Sequence, residues 1–236
     1  MKYLYLRSFF KMKNSIILLT LMIFSGIFHG QVYEAGIAIG GSNYIGDIGR
    51  TNYIYPNNFA GGLVFKYNWN PRIALRATYS YLPIEASDLD ADTDFKRARG
   101  LEFRNTIHEL ALGLEYNFYE YDLSSDDKIW TPYILLELAG FNYNYIVNEF
   151  SPNQFMYDSK NAFAIPFGLG IKSKLIGNFA IAFETRFRYT FKDDLDYTTS
   201  TIPRLNIGGT NSDWYVFTGV SLLYTFGRPA CYTKGF

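Results

Sequence analysis

From Phe179 to Phe191 the chain alternates at almost every step between two kinds of residue. Phe179, Ile181, Phe183, Thr185, Phe187, Tyr189 and Phe191 take the odd places, and Ala180, Ala182, Glu184, Arg186, Arg188 and Thr190 the even ones. A period of two puts the first set on one face of a strand and the charges on the other. The pattern recurs in most of eight segments, at about 32–42, 59–68, 73–82, 105–118, 133–145, 162–174, 179–191 and 213–226. No second sheet or set of helices is evident to cover so many apolar faces, and a bilayer is the simplest cover. The pattern therefore predicts an all-β fold: an eight-stranded antiparallel transmembrane β-barrel, apolar outside and polar inside.

The parity of each segment assigns its faces. The third places Ile73, Leu75, Ala77, Tyr79 and Tyr81 outward against Ala74, Arg76, Thr78 and Ser80. The sixth sets Phe163, Ile165, Phe167, Leu169 and Ile171 against Ala164, Pro166, Gly168, Gly170 and Lys172. The eighth offers Trp214, Val216, Val220, Leu222, Tyr224 and Phe226 on one face. The fifth is ambiguous near Gly140, where a bulge would exchange its faces. The connections alternate in length. Those at 43–58, 83–104, 146–161 and 192–212 are long, and those at 69–72 and 175–178 are short. Long external loops and short periplasmic turns give this alternation. The acidic connection 119–132, with Glu120, Asp122, Asp126 and Asp127, breaks it on the periplasmic side. An even strand count puts both termini in the periplasm.

The ends carry no barrel pattern. Lys11 and Lys13 precede an apolar run from Ile16 to Phe28, followed by His29-Gly30. This run is too short for a spanning helix and reads as the core of a signal peptide over residues 1–30, with Met12 an alternative start to Met1. The remaining domains are then a barrel over 31–226 and a periplasmic tail over 227–236. The chain holds 22 basic and 22 acidic residues. Without residues 1–30, which hold Lys2, Arg7, Lys11 and Lys13 and no acid, 18 basic residues face 22 acidic ones, a net charge of −4. That leaves no basic footprint for nucleic acid. With 21 Tyr, 21 Phe and 3 Trp, aromatic residues make up 19% of the sequence, as suits membrane–water interfaces.

Eight strands enclose a narrow lumen filled by side chains. The alternation directs Glu34, Lys66, Arg76, Glu109, Glu115, Glu137, Lys172, Glu184, Arg186 and Arg188 into it. A charge on the lipid face costs roughly 2–4 kcal/mol near the midplane. Inside, five acids meet five bases and are expected to pair as a rigid plug.

Other motifs carry less. Asp88-x-Asp90-x-Asp92 begins like a calcium loop, but Thr93 stands where glycine is needed and Arg99 where the closing glutamate belongs. It reads as a solvated run neutralised by Lys96, Arg97, Arg99 and Arg104, and no metal or cofactor is expected. His108 would need a serine and an acid beside it for nucleophilic chemistry. Ser80 and Glu109 are its neighbours by strand adjacency, but parity turns both inward and His108 outward, so no enzyme is expected. Cys231 is the only cysteine, so no internal disulfide forms. In a periplasmic tail it is a candidate for an intermolecular disulfide or a free thiol.

Four segments carry a family resemblance: Gly40-Gly41-Ser42-Asn43-Tyr44-Ile45-Gly46-Asp47, Asn70-Pro71-Arg72-x-Ala74-Leu75-Arg76, Arg97-x-Arg99-Gly100-Leu101-x-Phe103 and Thr131-Pro132-Tyr133. In order and spacing the chain resembles the PorG-like outer-membrane barrels of the Bacteroidetes type IX secretion system. The resemblance implies a non-enzymatic protein that helps attach a periplasmic ring, built of a PorK-like lipoprotein and a PorN-like partner, to the outer membrane. It also implies a role in secretion and, in gliding species, in motility. Topology, rather than the resemblance, places the expected partner contacts at Asp122, Asp126, Asp127, Cys231 and Tyr232, with outer-membrane lipid around the barrel. The alternative is a stand-alone small barrel of the OmpX or OmpA type, serving adhesion or envelope integrity.

Overall fold

Strands with one apolar and one charged face can satisfy both by curling until the charged faces meet. The computed structural model describes residues 32–122, 129–151, 154–199, 202–203, 205–207 and 212–227. Its strands are β1 (Val32–Ile45), β2 (Asn58–Asn68), β3 (Ile73–Ser87), β4 (Glu102–Asn117), β5 (Trp130–Ser151), β6 (Gln154–Lys174), β7 (Phe179–Thr190) and β8 (Trp214–Gly227). Each pairs antiparallel with its chain neighbours, and β8 returns to β1 to close the ring. The seam runs from Val32↔Gly227 to Ile45↔Trp214. At its middle Gly40 faces Gly219, and a Cβ on Gly40 would lie 2.2 Å from the Thr218 carbonyl oxygen. The two backbones meet this closely only because neither residue has a side chain.

The short turns are built by local chemistry. In 69–72 the Asn70 side-chain oxygen accepts from the backbone N–H of Arg72 and of Ile73, both at 2.8 Å. In 175–178 Gly177 takes a left-handed φ of 57°, which suits glycine. A 3₁₀ turn (Asp88–Asp90) and a short helix α1 (Asp94–Arg99) lie between β3 and β4. Gly100 ends α1 with φ 67°.

The outer surface is apolar all the way round. Ile39, Leu63, Leu112, Leu138 and Leu169 are each more than half exposed. Monomers in water rarely show an apolar patch above a few hundred Å². Rings border this belt at both ends. Near the short turns Tyr33 packs against Phe65, Tyr67 and Phe226, and Tyr119 against Trp130. Near the long loops Tyr79 and Tyr81 pack on His108, and Trp214 on Phe167 and Tyr189.

Three expectations change. The burial of β5 alternates without a break through Gly140, so no bulge lies there. The irregularities fall further on, between Ile146 and Asn148 and between Glu149 and Ser151. Second, 146–161 is not a loop. β5 and β6 continue pairing to Ser151↔Gln154 as a long projecting hairpin. Beyond the belt a strand needs only its ladder, so the run Asn148 to Lys160 carries no regular alternation to read. β3 and β4 likewise pair up to Ser87↔Glu102. Third, the interior is layered rather than uniformly polar. Above the charges Leu82, Ile84, Phe103, Ile107, Phe141, Tyr143 and Leu195 form a buried apolar core beneath the long loops. This end lies outside the belt and packs like a soluble protein.

Candidate functional site: the charged interior and the braced ends

The ten charged side chains assigned to the lumen all lie inside the barrel, none more than 2% exposed. Glu115 sits among Lys66 and Lys172, both at 2.6 Å, and Arg76 at 3.2 Å. Arg76 also forms a two-pronged bond across the barrel to Glu184, with both contacts at 2.7 Å. Arg186 lies 3.1 Å from Glu184 and 3.6 Å from Glu137. Arg188 grips Glu109 at 3.0 Å, and the Tyr215 hydroxyl donates to the same carboxylate at 2.7 Å. The Tyr133 hydroxyl donates to Glu184 at 2.7 Å, and Glu34 accepts from Asn68 at 2.8 Å. These contacts tie β3 to β7 and β4 to β2, β6 and β7. Their chemistry is that of an internal brace: nine of the ten buried charges lie within 4 Å of an opposite one, and Glu34 is held by the Asn68 amide instead.

At the short-turn end the connection after β4 folds back across the rim. The Tyr121 backbone N–H donates to the Pro71 carbonyl at 3.0 Å. The Tyr121 ring is 3% exposed and lies under the Lys172 ammonium, 4.4 Å from it. Arg72 donates to the Phe118 carbonyl at 2.7 Å and pairs with Glu120 at 3.4 Å. Asn117 donates to the Pro71 carbonyl at 3.0 Å. On the other flank the Tyr119 N–H donates to the Thr131 hydroxyl at 3.0 Å. Asn70-Pro71-Arg72 and Thr131-Pro132-Tyr133, far apart in sequence, therefore clasp one connection between them.

Arg72→Ala is expected to raise proteolytic cleavage in the connection 118–129 several-fold, corresponding to about 1 kcal/mol for a charge-assisted bond at a half-exposed side chain. Limited proteolysis of the folded protein reads it, with the barrel itself unchanged. Equal cleavage of variant and parent would mean that the clasp does not hold the connection.

The other two resembling segments meet at the opposite end. The Arg99 guanidinium donates to the Asp47 carbonyl at 2.8 Å, and Tyr44 meets Phe103 edge-on at 4.7 Å. Asp88 departs from the expectation of a solvated run. It is fully buried and accepts from Arg99 at 2.6 Å and from the backbone N–H of Gly49 and Leu101 at 2.9 and 3.1 Å. Burial alone would raise its pKa. The Arg99 and backbone donors outweigh that and hold it below the usual carboxylate range. Asp90 is exposed and faces Arg50 at 3.7 Å. Among the described residues no group of acids, histidines and cysteines is arranged to hold a metal.

Beside this hub the Tyr44 hydroxyl stands between Asp213, at 2.5 Å, and Asp196, at 2.9 Å. One hydroxyl proton cannot serve two ionised carboxylates at once. Burial, then the Asp196 charge, pushes the Asp213 carboxyl up to about 8. Burial also raises Asp196, and burial with the neighbouring Asp47 charge lifts Asp193 to about 6. Asp194 is separate: it pairs with Lys160 and accepts from the Tyr143 hydroxyl at 2.6 Å. The sequence reading missed this group, because Asp213 lies far in sequence from Tyr44 and Asp47.

His108 faces outward with its Nδ1 2.9 Å from the Tyr79 hydroxyl, while Ser80 and Glu109 are buried on the opposite face of the sheet. These three residues do not come together. Asp122 lies just beyond Tyr121 on the short-turn rim. Asp126, Asp127, Cys231, Tyr232 and the segment 1–30 lie outside the described residues.

No curated protein matches the sequence. Among solved structures the chain is similar to a major outer membrane protein from Thermus thermophilus, at 16% identity and TM-score 0.47, over 84% of this chain and 100% of that chain. It is similar to Ail, the attachment invasion locus protein of Yersinia pestis, at 13% identity and TM-score 0.44, over 84% of this chain and 100% of that one. It is also similar to the N-terminal β-barrel domain of Pseudomonas aeruginosa OprF, at 13% identity and TM-score 0.43, over 83% and 98%. A family model described as "Domain of unknown function (DUF6089)" matches residues 12–235, nearly the whole sequence, and the chain belongs to that family.

Proposed function

We propose that this protein is a non-enzymatic, PorG-like outer-membrane component of a type IX secretion machinery, anchoring or stabilising a periplasmic lipoprotein ring. The apolar belt between two rows of rings supports a place in the outer membrane of a Gram-negative bacterium. The short turns then face the periplasm, and so do both termini. The observation that carries the secretion reading is the clasp. Two of the four resembling segments converge to hold the β4–β5 connection against that rim. A braced, acidic connection beneath a rigid barrel is a surface on which a periplasmic ring can seat. Asp122 lies on it, and Asp126, Asp127, Cys231 and Tyr232 are assigned to the same face. A stand-alone barrel acting at the cell surface is the second reading, favoured by the projecting β5–β6 hairpin.

The test is a pull-down of the tagged protein from native outer membranes in mild detergent, with and without reductant and with Cys231→Ser. Recovery of a periplasmic ring lipoprotein, together with lost secretion in a deletion strain, is expected. Loss of the lipoprotein only on reduction or in the variant would locate the attachment at Cys231. A barrel recovered alone, with secretion normal in the deletion strain, would overturn the anchor and favour the surface role.

A further inference from the structure

One row on the outer face, at the long-loop margin of the apolar belt, is polar. Four neighbouring strands each place one side chain in it: Tyr81 of β3, His108 of β4, Asn142 of β5 and Asn161 of β6. Their register is continuous, as Tyr81↔His108, His108↔Asn142 and Asn142↔Asn161. It is the last row before β4 and β5 part, because their pairing ends at His108↔Asn142. Tyr81, His108 and Asn161 are exposed and Asn142 is half-buried.

These groups are only partly satisfied by the protein. The Tyr79 hydroxyl lies 2.9 Å from His108 Nδ1, and when it donates there the imidazole carries its hydrogen on Nε2. The Asn142 amide donates to the Asn161 side-chain oxygen at 2.9 Å and to the Lys160 carbonyl at 3.4 Å. The Tyr81 hydroxyl, His108 Nε2, the Asn142 side-chain oxygen and the Asn161 amide nitrogen have no hydrogen-bond partner among the described residues. By contrast Thr185 and Thr218, also on the outer face, lie 3.2 Å apart and satisfy each other. Polar groups at the edge of hydrocarbon need a partner, and the headgroup of a neighbouring lipid can supply one. The row holds no lysine, arginine or carboxylate. The cations flanking it are engaged elsewhere, Arg104 with Glu85 at 3.3 Å and Lys160 with Asp194. Such a set matches hydroxyl groups better than a phosphate, which calls for a free arginine or lysine.

Directly inside the row the surface is notched. Gly140 stands in register between Leu110 and Phe163, which are 61% and 77% exposed. A Cβ on Gly140 would have nothing within 4 Å. The two larger side chains are therefore the walls of a gap that opens toward the belt and ends at the polar row. We propose that this place binds a glycolipid of the outer leaflet: its sugar hydroxyls take the unpartnered groups of Tyr81, His108, Asn142 and Asn161, and one of its acyl chains lies in the notch at Gly140. The inference rests on the orientation proposed above, with the long loops outside the cell, and not on the secretion role.

The test offers the full-length protein, in mild detergent, an equimolar mixture of monoglucosyl diacylglycerol, phosphatidylethanolamine and phosphatidylglycerol with matched chains, and counts bound lipids by native mass spectrometry. The glucolipid is expected to be the preferred adduct. Its preference is expected to fall about tenfold in His108→Leu, which removes polar partners, and in Gly140→Val, which fills the notch and leaves the polar row intact. Both positions face outward, and the gel shift between folded and heat-denatured barrel checks that each variant folds. Equal binding of the three lipids, or a preference for phosphatidylglycerol, would overturn the sugar as the recognised group. A glucolipid preference unchanged in both variants would overturn the site. An epitope inserted after Asp92, in the β3–β4 connection, separates this from the orientation. Staining on intact cells is expected, and its absence would overturn the orientation and with it the outer leaflet as the source of the lipid, whatever the adducts show.

Discussion

Arg76→Leu is expected to lower the stability of the barrel by about 3–5 kcal/mol, the usual cost of removing one partner from a buried charge network. Among the described residues Arg76 is the only cation within reach of three carboxylates, Glu115, Glu184 and Glu137. The remaining charges divide unevenly without it. Glu115 keeps Lys66 and Lys172, but Glu184 and Glu137 are left to share Arg186. Leucine supplies apolar volume, so the loss measures charge rather than a void. Urea unfolding, followed by the gel shift between folded and heat-denatured barrel, gives the number. Arg76→Leu combined with Glu184→Leu is expected to recover part of the loss, because the two-pronged pair then disappears as a unit. A loss under about 1 kcal/mol for the single change would mean that water, not Arg76, satisfies these carboxylates.

Raising the pH from about 4 to 8 is expected to loosen the long-loop end, and Asp213→Asn is expected to abolish most of that response. The sign follows from the carboxyls around Tyr44. Asp213, at about 8, and Asp193, at about 6, sit above the ordinary carboxyl value of 3.8, and Asp196 is raised with them. The closed end therefore holds more protons than the open one. Below the ordinary value both forms are protonated and there is no penalty. The penalty grows as pH climbs toward the raised values and is complete above them. Asp88 works in the opposite sense, but its pKa is lowered, so its contribution is lost only below the ordinary value. Each proton released on opening changes the opening constant by at most about tenfold per pH unit. The groups facing Asp213 are Tyr44, Asp196 and Asp193, and Arg99 lies beside Asp88, Asp47 and Asp196. Hydrogen exchange at Leu195, whose N–H donates to Asp213 at 3.0 Å, reports the opening directly. Exchange that is independent of pH, after correction for the intrinsic rate, would mean that Asp213 is ionised throughout.

The relation between sequence and structure differs along the barrel axis. Within the belt, lipid on one side and a crowded lumen on the other leave each residue two environments, and alternation sorts them. That is why the ten buried charges, from Glu34 to Arg188, were legible in the sequence. Outside the belt the outer face of a strand meets water rather than lipid, and nothing penalises a polar residue there. Along β5 and β6 the alternation lapses there, and their reach to Ser151 and Gln154 left no mark. The Asp88 run was legible as a failed calcium loop, but its burial under Arg99 was not, because Gly49 and Leu101 supply backbone N–H groups that carry no side-chain signal.

The sequence by itself determined the eight strands within the belt, the parity of all but the fifth, and which charges turn inward, since the cost of a charge in lipid is local to each residue. Only the tertiary structure decided which acid meets which base. Arg76 reaches Glu184 across the lumen because the stagger of the closed sheet brings them to one height, and stagger is a property of the whole ring. The same closure brings Pro71 to Tyr121 and Tyr44 to Asp213. Such long-range meetings depend on where every strand sits relative to its neighbours, and no local pattern of residues encodes that.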